Sequence, residues 1–482
     1  MARNEVLTTA TFEQLFKKSA DIKFQTLLFN EHTVTLIICE AMIDLYLLHE
    51  VVMPRITQFL QQAEKIDEQT LITTIALPQI VAVTTSDEAE LLVYRGHCLI
   101  CLDELVFVAA NIEKKPNRSP EETNLEVTIT GPRDNFIEDI ATNIALLRKR
   151  LPTKSLCVER MELGRRSKTA LAIVYFDDIA NKESLQQIKQ GLAKVDVDIV
   201  FSTAALMEML HQNTKLFPLV DYTGRPDFAM QALARGRFII FVDGVAYATI
   251  TPINLLMLLK SGEDNEYPVI FSSFERLIRV FCIGIGVLLP ATWLALTTFH
   301  QDQLPFPLLA TVVQANTGLP LPSSLEMLLM VFMFELLREA GLRLPTIIGS
   351  TIGVVGGLII GDAAIRAGIT SPAMVVVIAV STIAAFTLVN QSLVSAISIV
   401  RIFFILMASI LGFFGVFISF FIVLLYLANL RVLGVPYLNF ANDFSLKNWA
   451  KAFLRLPQKQ YKKRPKMLHT QDETRKGRED DA

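Results

Sequence analysis

His97-Cys98-Leu99-Ile100-Cys101 is the first place in this 482-residue chain where metal or redox chemistry could sit. Two thiols three residues apart can share a zinc ion or form a redox pair, but a zinc site needs a second ligand pair, and none follows. The same step puts Cys98 and Cys101 on opposite faces of a strand, which reads as buried structural cysteine. Asp177-Asp178 follow an apolar run and could meet a cation; a solvated loop pair is the plainer reading. The six histidines form no ligand-spaced group, and neither GxxxxGK(S/T) nor a strand-linked GxGxxG occurs. No catalytic residue, no metal site and no cofactor is expected, and the chain reads as no enzyme.

Ionic chemistry is more promising in the C-terminal half. Glu335, Arg338 and Glu339 are spaced to meet on one helix, as a structural cluster or a polar ion path. Asp362 and Arg366 stand four apart, as a simple pair or as part of a pore mouth. Between them runs a glycine-rich helix, 344–361. Gly349, Gly353 and Gly356 share one face; Ser350, Val354, Gly357 and Gly361 form a second stripe. Small-xxx-small spacing lets helices approach closely. One reading is packing alone; the other has one stripe packing and the other lining a pore in an oligomer.

The elements that must carry these residues follow from composition. The chain is 52% hydrophobic with 19% charged residues, five cysteines and net charge −3, and its mean hydropathy is +0.42. This argues against a disulfide scaffold, a disordered chain and a basic nucleic-acid binder. No lysine occurs between Lys260 and Lys447, and residues 276–440 hold twelve charged side chains. Four stretches there carry no charge: 280–299, 344–361, 367–400 and 402–430. Each is long enough for a helix across roughly 30 Å of hydrocarbon. Segment 308–319, fenced by prolines, is too short and reads as interfacial or re-entrant. In helix 323–341, Ser323 and Glu326 fit a capping box, so Glu326 reads as a cap rather than an ion site.

The N-terminal half reads as layered α/β. TVTLIIC (33–39), HCLICL (97–102), VFVAANI (106–112), LAIVYF (171–176), VDIVF (197–201) and FIIFV (238–242) are strand-like. LLVY (91–94) and HCLICL flank Arg95-Gly96 as a hairpin, and Asp243-Gly244 suits a two-residue type I′ turn. Helices are expected near 40–62, within 131–151 after its opening turn, and near 182–194 and 203–211. The resulting division is a cytoplasmic α/β subdomain over 1–151, a second over 152–270, a transmembrane helical domain over 271–440 with about four spans, and a basic tail over 441–482. No signal peptide opens the chain. Lys447, Lys451, Arg455, Lys459, Lys462, Lys463, Arg464 and Lys466 crowd the tail, so both termini are expected in the cytoplasm. The same run could touch anionic lipid.

Several stretches resemble the A subunits of GerA-type spore germinant receptors: TNIALLRKR (142–150), IVYFDDIAN (173–181), ALTTFH (295–300), FELLREAGLRLP (334–345), VGGLIIGDAA (355–364), AGITSPAMV (367–375) and GVPYL (434–438). The resemblance covers nearly the whole chain. It implies an A subunit in the spore inner membrane, working with a transporter-like B subunit and a lipoprotein C subunit. It further implies a homo-oligomer forming a nutrient-gated ion channel that triggers germination, with no nucleic acid involved. A secondary transporter and a non-conducting membrane scaffold are the competing readings.

Overall fold

The computed structural model describes residues 7–29, 32–62, 71–72, 80–114, 134–211, 216–343, 346–438 and 453–475. The chain forms two compact units. The first comprises Met1–Thr214, Val220–Pro252 and Tyr461–Ala482; the second comprises Lys215–Leu219 and Ile253–Gln460.

The first unit is α/β and holds two five-stranded antiparallel sheets. Sheet one has the order β1-β2-β4-β5-β3, with β1 Ile22–Phe29, β2 His32–Cys39, β3 Val81–Ala82, β4 His97–Leu102 and β5 Val106–Asn111. Its central strands are covered on both faces. Leu36, Cys98 and Ile100 pack in one core with Ile56 and Phe59 of helix α2 (Met53–Gln62). Ile37, Leu99 and Cys101 pack in another with Phe12 and Phe16 of α1 (Thr9–Phe16) and Val93 and Tyr94 of α3 (Ser86–Tyr94). Alternate residues of one strand thus enter different cores, the period-two consequence of a pleated chain.

Three local expectations are corrected. LLVY is the end of helix α3, not a strand. Thr85 caps this helix by accepting from the Glu88 amide, and Gly96 leaves it at φ +88°. Local capping overrides the β-rich composition of four residues. The hairpin is β4–β5 instead, turned by Asp103 and Glu104, both at positive φ. VDIVF forms no strand. The Val197 and Asp198 carbonyls accept from the backbone of the Arg165–Ser167 turn, and Ile199 stays exposed.

Sheet two has the order β6-β7-β9-β10-β8, with β6 Leu156–Leu163, β7 Thr169–Phe176, β8 Asp221–Thr223, β9 Phe238–Val242 and β10 Ala248–Thr251. Asp243-Gly244 does not make a two-residue turn, because Thr249 pairs with Ile240 and leaves a longer connection. Helix α4 (Ile140–Arg150) holds that connection: the Ile140 amide donates to Asp243 Oδ1 and the Gly244 amide to the Glu138 carbonyl. α4 packs on β7, β9 and α7 (Pro226–Leu233). The remaining helices here are α5 (Lys182–Ala193) and α6 (Thr203–His211). The chain's last described segment docks on this sheet's margin. Gln471 Nε2 donates to the Ala180 carbonyl at 2.8 Å, Arg464 Nε donates to the Ala234 carbonyl at 3.0 Å, and Thr470 lies against Gly236.

The second unit is helical: α8 Val269–Thr298, α9 Phe306–Asn316, α10 Ser323–Arg343, α11 Thr346–Arg366, α12 Pro372–Phe386, α13 Gln391–Leu411 and α14 Phe413–Asn429. α8 and α13 are long and apolar enough to cross a membrane; α12 and α14 are apolar but 15 and 17 residues long. The uncharged runs do not map one to one onto helices. Run 367–400 holds all of α12 and half of α13, and Arg401 lies inside α13 rather than between two spans. The breaks fall at Asn390, which caps α13, and at Gly412, whose φ of 60° and ψ of −138° suit only glycine. α9 is 11 residues, short as its prolines require. Phe414, Phe417 and Phe421 of α14 and Val376 and Ile383 of α12 are more than half exposed. So much outward apolar surface calls for lipid or another chain against it.

Candidate functional site

The thiol candidates are closed. Cys98 and Cys101 are buried, one in each core of sheet one. Burial pushes the Cys98 thiol up and the Cys101 thiol up to about 12, which removes thiolate character at neutral pH. Asp177 is held by Lys18 Nζ at 2.7 Å, and Asp178 is exposed. Among the described residues, no three His, Cys, Asp or Glu side chains group as metal ligands.

The α/β unit does contain a buried ionic clasp. Arg148 of α4 donates from Nε to Asp21 Oδ2 at 2.9 Å and from Nη2 to Asp21 Oδ1 at 3.1 Å, and both side chains are 0% exposed. Nη1 donates to the Thr153 carbonyl, and the guanidinium lies 4.2 Å from the Tyr94 ring centroid. Ser19 Oγ touches both Tyr94 Oη and Arg148 Nη2. Burial disfavours the Arg148 charge, but Asp21 and its neighbours outweigh that and hold it above its ordinary value. The clasp joins an arginine from the second sheet's helix to the strand entrance and helix of the first sheet. Ser19 also bridges Val158.

In the helical unit the polar cluster has different members from those the sequence spacing gives. Glu335 Oε2 meets Arg338 Nη2 at 2.8 Å, and Glu335 Oε1 meets Arg401 Nη2 at 2.7 Å. Glu339 is not in the cluster: it faces outward and pairs with Arg343 at 2.7 Å. Residues three and four beyond Glu335 both neighbour it on the helix surface, but on opposite sides of it. Here the turn toward α13 and α12 favours Arg338. Ser398 Oγ accepts from Arg338 Nη1 at 3.2 Å, while Thr382 and Ser381 hydroxyls sit 3.3 and 3.4 Å from Arg401 Nη1. Arg401, Ser381, Thr382 and Ser398 are the members sequence reasoning missed. The one available signal was Arg401, a lone charge between two long uncharged runs.

Glu326 is corrected in its target. It is buried, and its Oε1 accepts from the Ser371 amide at 2.7 Å and from Thr370 Oγ1 at 2.8 Å. It therefore caps the neighbouring α12 rather than its own helix, where its charge meets the positive end of the peptide dipoles. Since Glu326 reaches residue 371 and Glu335 reaches residue 382 through Arg401, α10 and α12 run side by side in the same direction. At the foot of α8, Asp264 receives Arg276 Nε at 2.7 Å and Arg279 Nη1 at 2.9 Å.

The glycine stripe is part open. A Cβ on Gly357 would meet nothing within 4 Å, whereas one on Gly361 would touch Val375 at 3.5 Å. Asp362 and Arg366 pair at 2.8 Å and are mostly exposed. Ser350 and Val354 lie on α11, but their side chains fall outside the described residues, as do the surroundings of Gly349 and Gly353. Lys447 and Lys451 of the basic run lie outside them too.

The chain has relatives among known proteins. The profile described as "Bacillus/Clostridium GerA spore germination protein" matches residues 10–467. The chain is 40% identical over 452 residues to spore germination protein XA of Bacillus anthracis, covering 92% of this chain and 91% of that one. A Bacillus subtilis relative named "Uncharacterized membrane protein YfkQ" is 32% identical over 392 residues, covering 81% and 76%. Among solved structures, the N-terminal domain of the A subunit of the Bacillus megaterium spore germinant receptor GerK3 aligns with TM-score 0.40 and 22% identity, covering 52% of this chain and 96% of that one. Names and apolar helices alike suggest membrane association. With a match that runs almost from end to end, the chain belongs to the GerA family of spore germination proteins.

Proposed function

We propose that the protein is the A subunit of a nutrient-responsive germinant receptor that spans the spore inner membrane several times. In this reading both termini and the α/β unit face the cytoplasm, and copies of the chain assemble into an ion channel opened when a nutrient binds. Its companions are a transporter-like B subunit, a lipoprotein C subunit and the lipid itself. The observation that carries the germination role is the relationship to XA along 92% of the chain. The channel role draws support from α11, where Gly357 leaves open space and Leu358 and Ile359 are exposed, so the helix has a face its own fold does not fill. A ligand then acts by favouring one of two packings of the oligomer.

The test is Gly357→Leu. A Cβ at this position meets nothing within 4 Å among the described residues, so the variant is expected to reach the membrane at normal level. Nutrient-triggered cation release from spores falls by about tenfold or more, as expected when a constriction is plugged. Normal release removes Gly357 from the conduction path.

A further inference from the structure

One short stretch of the N-terminal half belongs with the helices. Residues 215–219 are part of the helical unit, although α6 before them and β8 after them are part of the α/β unit. Phe217 is 5% exposed. Its ring centroid lies 6.2 Å from that of Tyr426 and 6.3 Å from that of Tyr437, within the range of aromatic pairing. The Leu216 amide donates to Tyr426 Oη at 3.2 Å. Tyr426 stands in the last turn of α14, and Tyr437 in the chain just beyond it. Tyr437 is buried; its amide donates to the Leu430 carbonyl at 2.9 Å, and its carbonyl accepts from the Leu255 amide at 3.1 Å. Leu255 opens the short helix Leu255–Leu258, and the next carbonyl, that of Leu259, accepts from Arg279 Nη1 at 3.1 Å. Contacts thus run unbroken from Phe217 to the end of α14 and on to the foot of α8.

We propose that segment 216–219 is a coupling clip: it links the end of α14 to the edge strand β8, so that a shift of the membrane helices and a shift within sheet two bias each other. This rests on the membrane reading above. The link is short, since Phe217 and Asp221 are four residues apart and at most about 14 Å even when fully extended. It is also stiff, because Pro218 fixes one of its backbone angles. β8 is the outer strand of sheet two, paired with β10 over three residues, and a short strand at a sheet margin opens at lower cost than a central one. The warrant is a contiguous run of packed rings and hydrogen bonds rather than nearness alone. Reciprocity then makes any bias on β8 a bias on α14 of equal size. A second route between the units is the chain itself, because β10 runs through Pro252 into Ile253. The test has to tell the clip from that route.

The experiment moves the helices without a ligand. Full-length protein is placed in vesicles of dimyristoleoyl- or dierucoyl-phosphatidylcholine, bilayers of different thickness that impose different helix tilts. Backbone hydrogen exchange is read at β8, Asp221–Thr223, with the β1–β2 pair as internal standard. Wild type is compared with Phe217→Ala, which empties the space between the two tyrosines, and with the milder Tyr426→Phe, which keeps the ring and loses the bond from Leu216. In wild type, exchange at β8 differs about fivefold or more between the two bilayers. Phe217→Ala brings the difference below about twofold, and Tyr426→Phe brings it to about half the wild-type value. Exchange at β1–β2 stays as in wild type. A Phe217→Ala chain that fails to fold shows as fast exchange at β1–β2, and Tyr426→Phe then decides alone. A reduced difference in either folded variant supports the clip. A wild-type difference kept in every folded variant overturns the proposal, because the signal then travels through β10. So does a wild-type chain that exchanges alike in both bilayers. Failure of the membrane reading shows separately, as wild-type chain that floats with neither vesicle on a density gradient, and takes this proposal with it.

Discussion

In the α/β unit Arg148 has a carboxylate to itself; in the helical unit Arg338 and Arg401 share one. Both sites bury guanidinium groups, yet their surroundings differ. Arg148 spends every nitrogen on Asp21, Ser19 or the Thr153 carbonyl and lays its face on Tyr94. Each nitrogen is engaged, so the clasp fixes how the two sheets meet and asks for no outside help. The helical cluster keeps two Nε donors unmatched and two hydroxyls at long range. A satisfied buried network specifies one structure, while an unsatisfied one costs energy until something completes it.

The comparison can be broken most directly at Arg148. Arg148→Ala leaves Asp21 as a lone buried charge, and unfolding of the full-length chain should lose about 3–5 kcal/mol, read from its thermal midpoint in detergent. A loss under about 1 kcal/mol would mean the clasp is ornamental.

A smaller effect comes from pH. Burial, against the pull of Arg148, pushes the Tyr94 hydroxyl up to about 12. The unfolded chain ionises this group near 10, so between the two values the unfolded state holds fewer protons and stability falls as pH rises. Stability is fully present below pH 10 and drops by roughly 2–3 kcal/mol toward pH 12. Ser19, Asp21, Glu90 and Arg148 face this group. Tyr94→Phe should flatten that part of the pH profile, and an unchanged slope assigns it to another group.

The smallest effect is expected at Arg401. Arg401→Met leaves the Glu335–Arg338 pair neutral in an apolar bundle, so the chain alone should change by less than about 1.5 kcal/mol. A loss as large as that of Arg148→Ala would erase the contrast between the two units.

The sequence made the layered α/β half and the apolar half visible because both rest on periodic burial, which short windows record. Strand β1 escaped it: IKFQTLLF lies at a sheet edge with mixed exposure, so no clean alternation survives. LLVY misled because four β-rich residues carry less weight than the Thr85 cap beside them. The cluster was half visible. Glu335 and Arg338 sit three apart on one helix, but Arg401 arrives from 66 residues away, and no local spacing encodes that. Glu326 was recognised as a cap, but which helix it caps depends on how α10 and α12 pack.

The docked segment 461–475 has a practical consequence. Because it belongs to the same compact unit as the two sheets, the helical unit is an insertion bracketed on both sides by pieces of one domain. A fragment cut off at residue 252 would fold with a bare patch at Gly236 and Ala180, where Thr470 and Gln471 normally rest. Adding the far end back in trans, as a short peptide, should therefore mend what truncation removes.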